Sequence, residues 1–255
     1  MASRALDDAG IRWPFPRVLG HRCGGTLAPE NTLAGLRRAF ELGFAGVEFD
    51  AKLTRDGVAI LMHDDTLDRT TNGHGPVASA DWAALQGLDA GSWCAPRFAG
   101  EPIPTLASAL RLCADLGLWP NVEIKPCPGR EGETGRLVAR EVLRTWRGKA
   151  RPLLSSFSAA SLAAARDEAP ELPRGLLVED PPSDWRKQMA QLECFSLHCH
   201  YRAASATLLK HAAADGYPVL CYTVNRAASA RRLRSLGVSA VVTDRFDLIH
   251  PSSLL

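Results

Sequence analysis

The stretch Gly46-Val47-Glu48-Phe49-Asp50-Ala51-Lys52-Leu53-Thr54-Arg55-Asp56-Gly57-Val58-Ala59-Ile60-Leu61-Met62-His63 decides the fold. It reads as two strands, residues 46–51 and 58–63. Too few residues part them for a parallel crossover, which takes about a dozen. Asp-Gly between extended runs is a strong hairpin signal, so the second strand returns antiparallel to the first. With Asp56-Gly57 as a two-residue loop, Arg55 faces Val58. Counting back then sets His63 opposite Asp50, on the same face of the hairpin.

Seven further strand-like runs follow outward from this hairpin, at residues 18–21, 121–125, 152–156, 175–178, 195–198, 219–223 and 240–243. Helical patterns lie between most of them, at 32–42, 106–116, 134–146, 159–168, 184–191, 203–214 and 227–236. Strands alternating with helices indicate βαβ units and a parallel sheet. Nine strands are one too many for an eight-stranded barrel, and the hairpin removes the surplus. If 58–63 is an antiparallel excursion, the other eight form a (β/α)₈ barrel, a fold that often takes about 250 residues. The chain has 255. It is therefore read as a single barrel domain, 1–255, with an insertion subdomain at 64–105 after the second barrel strand. That insertion has weak periodicity and is placed to wall the pocket.

Chemistry-bearing residues gather where the strands end. His21-Arg22 closes the first, Glu48-x-Asp50 the second, His63 the hairpin return, and Glu123-x-Lys125 the next barrel strand. Residues two apart on a strand share a face, so Glu48 converges with Asp50 and Glu123 with Lys125. Three carboxylates suit a hard divalent cation, Ca²⁺ or Mg²⁺, with Mn²⁺ also accepting oxygen donors. Two histidines suit proton transfer near neutral pH. Arg22 and Lys125 suit an anionic substrate, phosphate above all. Together these groups read as a metal-assisted phosphoryl-transfer site. Unless a cation is present, three acidic groups at one barrel mouth repel each other.

Bulk composition excludes other classes. The chain is 46% hydrophobic and 23% charged, with a net charge of +2, too little for a nucleic-acid binder. No apolar run reaches the ~18 residues of a membrane span, and the first residues lack the apolar core of a signal peptide. The seven cysteines form no C-x-x-C pair, which fits reduced thiols and a cytoplasmic location. Cys194, His198, Cys199 and His200 match no usual zinc spacing. Asn31 or Thr32 is expected to cap a helix. Asp64 and Asp65 are expected to shape the loop after His63, and His74 and His200 to be loop residues. Ser155-Ser156 lacks the surroundings of a nucleophile elbow.

The ordered set His21-Arg22, Ala28-Pro29-Glu30-Asn31-Thr32, Val47-Glu48-Phe49-Asp50, Leu61-Met62-His63-Asp64, Asn121-Val122-Glu123-Ile124-Lys125, Leu154-Ser155-Ser156-Phe157 and Tyr222-Thr223-Val224-Asn225 resembles the glycerophosphodiester phosphodiesterases, most of all the cytoplasmic bacterial type. The resemblance runs from Trp13 to Asp247. It implies a (β/α)₈ barrel and metal-dependent hydrolysis of small glycerophosphodiesters to an alcohol and sn-glycerol 3-phosphate. It gives the metal-ligand roles to Glu48, Asp50 and Glu123, the acid–base roles to His21 and His63, and phosphate binding to Arg22 and Lys125. It further implies attack by the substrate's own glycerol hydroxyl and a cyclic phosphate that water opens, with His21 read as base and His63 as acid. The family's motif has glycine where this chain has Cys23, and Gly24-Gly25 is expected to supply the lost flexibility. An enzyme acting on intact lipid would want an apolar rim. A barrel that only binds would have lost a ligand or a histidine, and an amidohydrolase would need more histidine ligands.

Overall fold

A computed structural model describes residues 13–254. The N-terminal residues read above as lacking a signal-peptide core lie, up to residue 12, outside the described residues. The strands are β1 (Val18–Gly20), β2 (Gly46–Leu53), β3 (Ala59–Leu61), β4 (Trp119–Ile124), β5 (Leu153–Ser156), β6 (Arg174–Val178), β7 (Ser196–His200), β8 (Val219–Tyr222) and β9 (Ala240–Thr243). The helices are α1 (Leu33–Glu41), α2 (Trp82–Leu85), α3 (Leu106–Leu116), α4 (Glu131–Thr145), α5 (Ala159–Glu168), α6 (Trp185–Gln191), α7 (Ala206–Ala214) and α8 (Ala227–Ser235).

Eight strands pair in parallel, in the order β1-β9-β8-β7-β6-β5-β4-β2. The sheet closes where β1 pairs with β2, Leu19 beside Gly46 and Gly20 beside Val47. This is the (β/α)₈ barrel. Along β2 the pleat sorts side chains by face. Val47, Phe49 and Ala51 join the core between barrel and helices, while Glu48 and Asp50 line a cavity inside the barrel. β4 repeats the pattern, with Val122 and Ile124 in the helix-side core and Asn121 and Glu123 on the cavity. A second apolar cluster of Trp13, Leu19, Trp119, Leu153, Leu220, Ala240 and Val242 fills the barrel below.

β3 pairs antiparallel with β2, but its register differs by one residue from the expected one. Ala51 faces Leu61 and Leu53 faces Ala59, and the Met62 N–H donates to the Asp50 carbonyl at 3.1 Å. The cause is the turn. Thr54 and Val58 close the hairpin through Thr54 N–H to Val58 O at 3.0 Å, and the Gly57 N–H donates to Thr54 O at 3.1 Å. Arg55, Asp56 and Gly57 thus form a three-residue loop, and Gly57 takes the left-handed conformation at φ +83°. Three-residue hairpins commonly end this way. The strand pairing therefore sets Met62, not His63, against Asp50. His63 lies beyond the end of β3 and still reaches the cavity.

Helix starts follow their caps. Thr32, Thr105, Ser158 and Ser205 each accept a backbone N–H three residues on, opening α1, α3, α5 and α7. Such a cap is worth about 1 kcal/mol. The Ser205 cap starts α7 later than the apolar pattern suggested. α4 starts earlier than expected, with Glu131 and Glu133 in its first turn, where carboxylates complement the helix dipole. Between β3 and α3 the chain packs around its own apolar group, including Ile60, Met62, Leu67, Val77, Leu85 and Ile103. Among the described residues no helix is long and apolar enough to cross a membrane.

Candidate active site

The cavity at the C-terminal end of the barrel strands has a volume of about 270 Å³. Its lining includes His21, Arg22, Glu48, Asp50, His63, Glu123 and Lys125, so the structure brings all seven expected residues to one place. His21, Arg22, Glu123 and Lys125 come from the ends of parallel strands or just beyond them, Glu48 and Asp50 from within the long β2, and His63 from just beyond β3. Parallel strands deliver inward-facing side chains to the same mouth.

Carboxylate oxygens of Glu48, Asp50 and Glu123 lie within 4.8 Å of one another. Glu48 and Asp50 are buried, at 4% and 1% exposure. Glu48 Oε1 has no hydrogen-bond partner, while its Oε2 accepts the Arg22 backbone N–H at 3.0 Å. Asp50 is held by Asn31, whose Nδ2 donates to Asp50 Oδ2 at 2.9 Å and whose Oδ1 accepts the Asp50 N–H at 3.1 Å. Thr32 is thus the helix cap and Asn31 is the carboxylate's holder, a division the sequence left open. Burial, followed by the charge of Asp50, pushes the Glu48 carboxyl up. The same two causes, in the same order, push Glu123 up. Burial works on Asp50 too, but Lys125, His63, Arg22 and the Asn31 hydrogen bond outweigh it and hold Asp50 below the ordinary range. Two carboxyls raised beside a third held low is what close, buried carboxylates sharing too few cations produce.

Both histidines are oriented by a carboxylate. His21 Nδ1 lies 2.5 Å from Asp244 Oδ1, leaving Nε2 facing Glu48 Oε2 at 3.9 Å. Asp244 is itself held by Asn225, whose Nδ2 donates to Asp244 Oδ2 at 2.7 Å. Burial lowers the His21 imidazolium, but the Asp244 hydrogen bond and the charges of Glu48 and Asp244 outweigh it, and its pKa is raised. His63 Nδ1 lies 2.7 Å from Asp64 Oδ1. For His63 burial wins over Asp50 and Asp64, and its pKa is lowered.

The two cations are not free. Arg22 Nη1 donates to Glu30 Oε1 at 2.9 Å, and its Nε lies 3.6 Å from Asp50 Oδ2. Lys125 Nζ donates to Glu123 Oε1 at 2.9 Å and lies 3.6 Å from Asp50 Oδ1. The exposed Phe157 ring sits 5.8 Å from Lys125 Nζ at the cavity edge.

Sequence reading missed Asp244, Asn225's link to it, and Arg69. The signal for Asp244 was topological. Gly20 pairs with Thr243 across β1 and β9, so the next residues, His21 and Asp244, become neighbours only when the barrel closes. Asp64 partners His63, whereas Asp65 accepts from the buried Lys52 at 2.5 Å. His198 lines the cavity and is fully buried, its Nε2 2.9 Å from Ser196 Oγ. Burial holds its pKa at about 3, so it is neutral. Cys194, His198, Cys199 and His200 form no metal-binding group among the described residues. Cys23 itself adopts φ +65°, so Gly24-Gly25 does not relieve the backbone of its left-handed turn. Its side chain is fully buried in the helix-side core, against Gly35, and does not line the cavity.

Residues 21–248 match the profile of the glycerophosphoryl diester phosphodiesterase family. The chain is 35% identical over 231 residues to a glycerophosphodiester phosphodiesterase of Caldanaerobacter subterraneus subsp. tengcongensis, covering 89% of this chain and 93% of that one. It is 31% identical to a glycerophosphodiester phosphodiesterase of Bacillus subtilis, covering 91% of this chain and 85% of the relative. A phosphodiesterase from Oleispira antarctica, solved with the product sn-glycerol-3-phosphate, superposes with a TM-score of 0.87 at 37% identity, over 90% of this chain and 93% of that one. The barrel, the cavity at its mouth and these matches along most of its length agree: the chain belongs to the glycerophosphoryl diester phosphodiesterase family of hydrolases.

Proposed function

We propose that the protein hydrolyses small glycerophosphodiesters to an alcohol and sn-glycerol 3-phosphate with a bound divalent cation. The observation that carries the metal requirement is the buried carboxylate trio with an unpartnered Glu48 Oε1. Oxygens bound to one Ca²⁺ at about 2.3–2.6 Å can lie up to about 5 Å apart, and the trio's spacing fits that reach. Mg²⁺, with shorter bonds, or Mn²⁺ would draw the three closer. Glu48, Asp50 and Glu123 would hold the ion, which when bound neutralises phosphate charge and acidifies a nearby hydroxyl.

The rest falls to the chain's own groups. Arg22 and Lys125 bind the phosphate, exchanging part of their carboxylate contacts for phosphate oxygens. His21 Nε2 takes the proton of the substrate's glycerol hydroxyl as that oxygen bonds to phosphorus. Asp244 on Nδ1 then stabilises the imidazolium. His63 gives its Nε2 proton to the departing alkoxide as the old P–O bond breaks. An internal nucleophile gains proximity and leaves a cyclic phosphate. Water opens this ring with the proton transfers reversed, giving sn-glycerol 3-phosphate. The reading covers 1–255 as one catalytic domain. The insertion at 64–105, expected to wall the pocket, contributes no residue to the cavity lining and reaches the site only through Asp64 on His63 and Arg69 on Glu30. Seven free cysteines, none in a disulfide, support a cytoplasmic setting.

The test is release of sn-glycerol 3-phosphate from glycerophosphocholine with Ca²⁺, with Mg²⁺ and after chelation, beside His21→Ala and Glu48→Ala. Expected is metal-dependent release abolished by chelation and by either substitution. Turnover that survives all three would sink the mechanism.

A further inference from the structure

Arg69 takes no part in the steps above, yet it touches both halves of the site. It lies in the segment after β3, on a tight turn. The Thr71 N–H and hydroxyl both bond back to Leu67 O, at 3.1 and 2.8 Å, and Leu67 is buried in the insertion's own apolar cluster. The turn aims the guanidinium back at the barrel mouth. There its Nε donates to Asp64 Oδ2 at 2.6 Å and its Nη2 to Asp64 Oδ1 at 3.0 Å. Its Nη1 donates to Glu30 Oε2 at 2.8 Å, and Nη2 donates a second time, to Glu30 Oε1 at 2.7 Å. One planar fork therefore grips two carboxylates, which a point-like ammonium cannot do.

Each of those carboxylates has one other task. Asp64 Oδ1 is the partner of His63 Nδ1 at 2.7 Å. Glu30 Oε1 is the partner of Arg22 Nη1 at 2.9 Å. An unbroken line of contacts thus runs from His63 through Asp64, Arg69 and Glu30 to Arg22. Asp64 and Glu30 come from different parts of the chain, and Arg69 is their shared contact. Remove its guanidinium and each carboxylate keeps only its own cation or imidazole. Two anions would then be left near each other without the charge between them.

We infer that Arg69 is a positioning residue that sets the angle of the proton-donating His63 and the phosphate-binding Arg22 as one unit. The inference rests on the roles proposed above for His63 and Arg22. The two roles can be read separately. The His63 half matters only when the departing alcohol needs a proton. The Arg22 half matters for any phosphodiester.

Arg69→Met is compared with the parent protein on two substrates. Glycerophosphocholine loses an alkoxide that must be protonated, whereas the 4-nitrophenyl ester of glycerol 3-phosphate loses a stable phenolate. Arg69→Met is expected to lower kcat on the choline ester by about tenfold or more, part of what a general acid contributes. On the nitrophenyl ester the loss in kcat is expected to be several times smaller, while KM rises for both. Arg69→Lys keeps the charge but not the fork, and the same pattern at smaller amplitude is expected. Thermal melting of both variants guards against simple unfolding. An equal loss of kcat on the two substrates, or activity unchanged in both variants, overturns the inference. Failure of the parent protein to release glycerol 3-phosphate from either ester strikes the proposed function itself. Normal parent activity with unaffected variants strikes only the role of Arg69.

Discussion

His21 shows how much a single residue can and cannot announce. A histidine followed by an arginine at a strand end was legible as chemistry. Its orientation was not, because the carboxylate that fixes it, Asp244, stands 223 residues away. Asp244→Asn keeps the shape and removes the charge that stabilises the imidazolium. Expected is a fall in kcat of about 10²-fold or more with KM nearly unchanged, measured as steady-state release of glycerol 3-phosphate. An unchanged kcat would remove Asp244 from the machinery. Asn31 teaches a similar lesson. Its side chain was legible as a cap, a local role, while its actual work is to clamp Asp50 through two hydrogen bonds. Local roles are visible in spacing; contacts across the barrel are not. Cys23 is a further case. The family resemblance implies that glycine suits the position, and the φ of +65° explains why. Only the structure shows its thiol turned into the core and away from the cavity.

Among the elements, the hairpin of β2 and β3 carried the correct topology and the wrong register. Antiparallel return followed from a connection too short for anything else. The register depended on whether the turn holds two residues or three, and Asp-Gly serves both. A one-residue slip reverses the face of every side chain, so pairing alone would have turned His63 away from Asp50. It escapes because β3 ends at Leu61 and the chain is free to turn. Gly57 fixes this turn at φ +83°. Gly57→Ala places a Cβ in the left-handed region at a cost of about 1–2 kcal/mol. A Cβ there meets only Leu137 Cδ1, at 3.6 Å, so the loss is conformational and not a clash. Urea unfolding is expected to show that loss in stability with metal affinity unaltered. No loss of stability would mean that the loop adopts another turn. The seven helices between the barrel strands were legible to within a few residues, with the larger errors where a cap or an acidic first turn overrides the apolar pattern, while the short α2 in the insertion was not.

At the scale of the whole molecule, the barrel followed from counting strands, and the convergence of seven residues on one mouth followed from the barrel. Protonation of the site did not, since it depends on burial. Burial and mutual repulsion raise Glu123 to about 7 and Glu48 to about 8. A carboxyl raised on folding stabilises the protein below its unfolded value, about 4.3, and that contribution is lost as pH climbs through the raised value. Asp50, held low, acts the other way, stabilising above its unfolded value and ceasing to do so only as the solution becomes strongly acidic. The metal-free protein is therefore expected to melt at falling temperature from about pH 5 to about pH 8, with Ca²⁺ restoring the alkaline loss by binding the folded form. Melting temperatures that are flat or rising across this range, with no response to metal, would contradict it. The closing seam of the barrel bears on synthesis as well. His21 follows β1, and its anchor follows β9. On a ribosome the first of these emerges long before the second, so a nascent chain carries the histidine, the arginine and the three carboxylates while the seam is still open. The seam closes, and His21 meets its carboxylate, only once the last strand has been made.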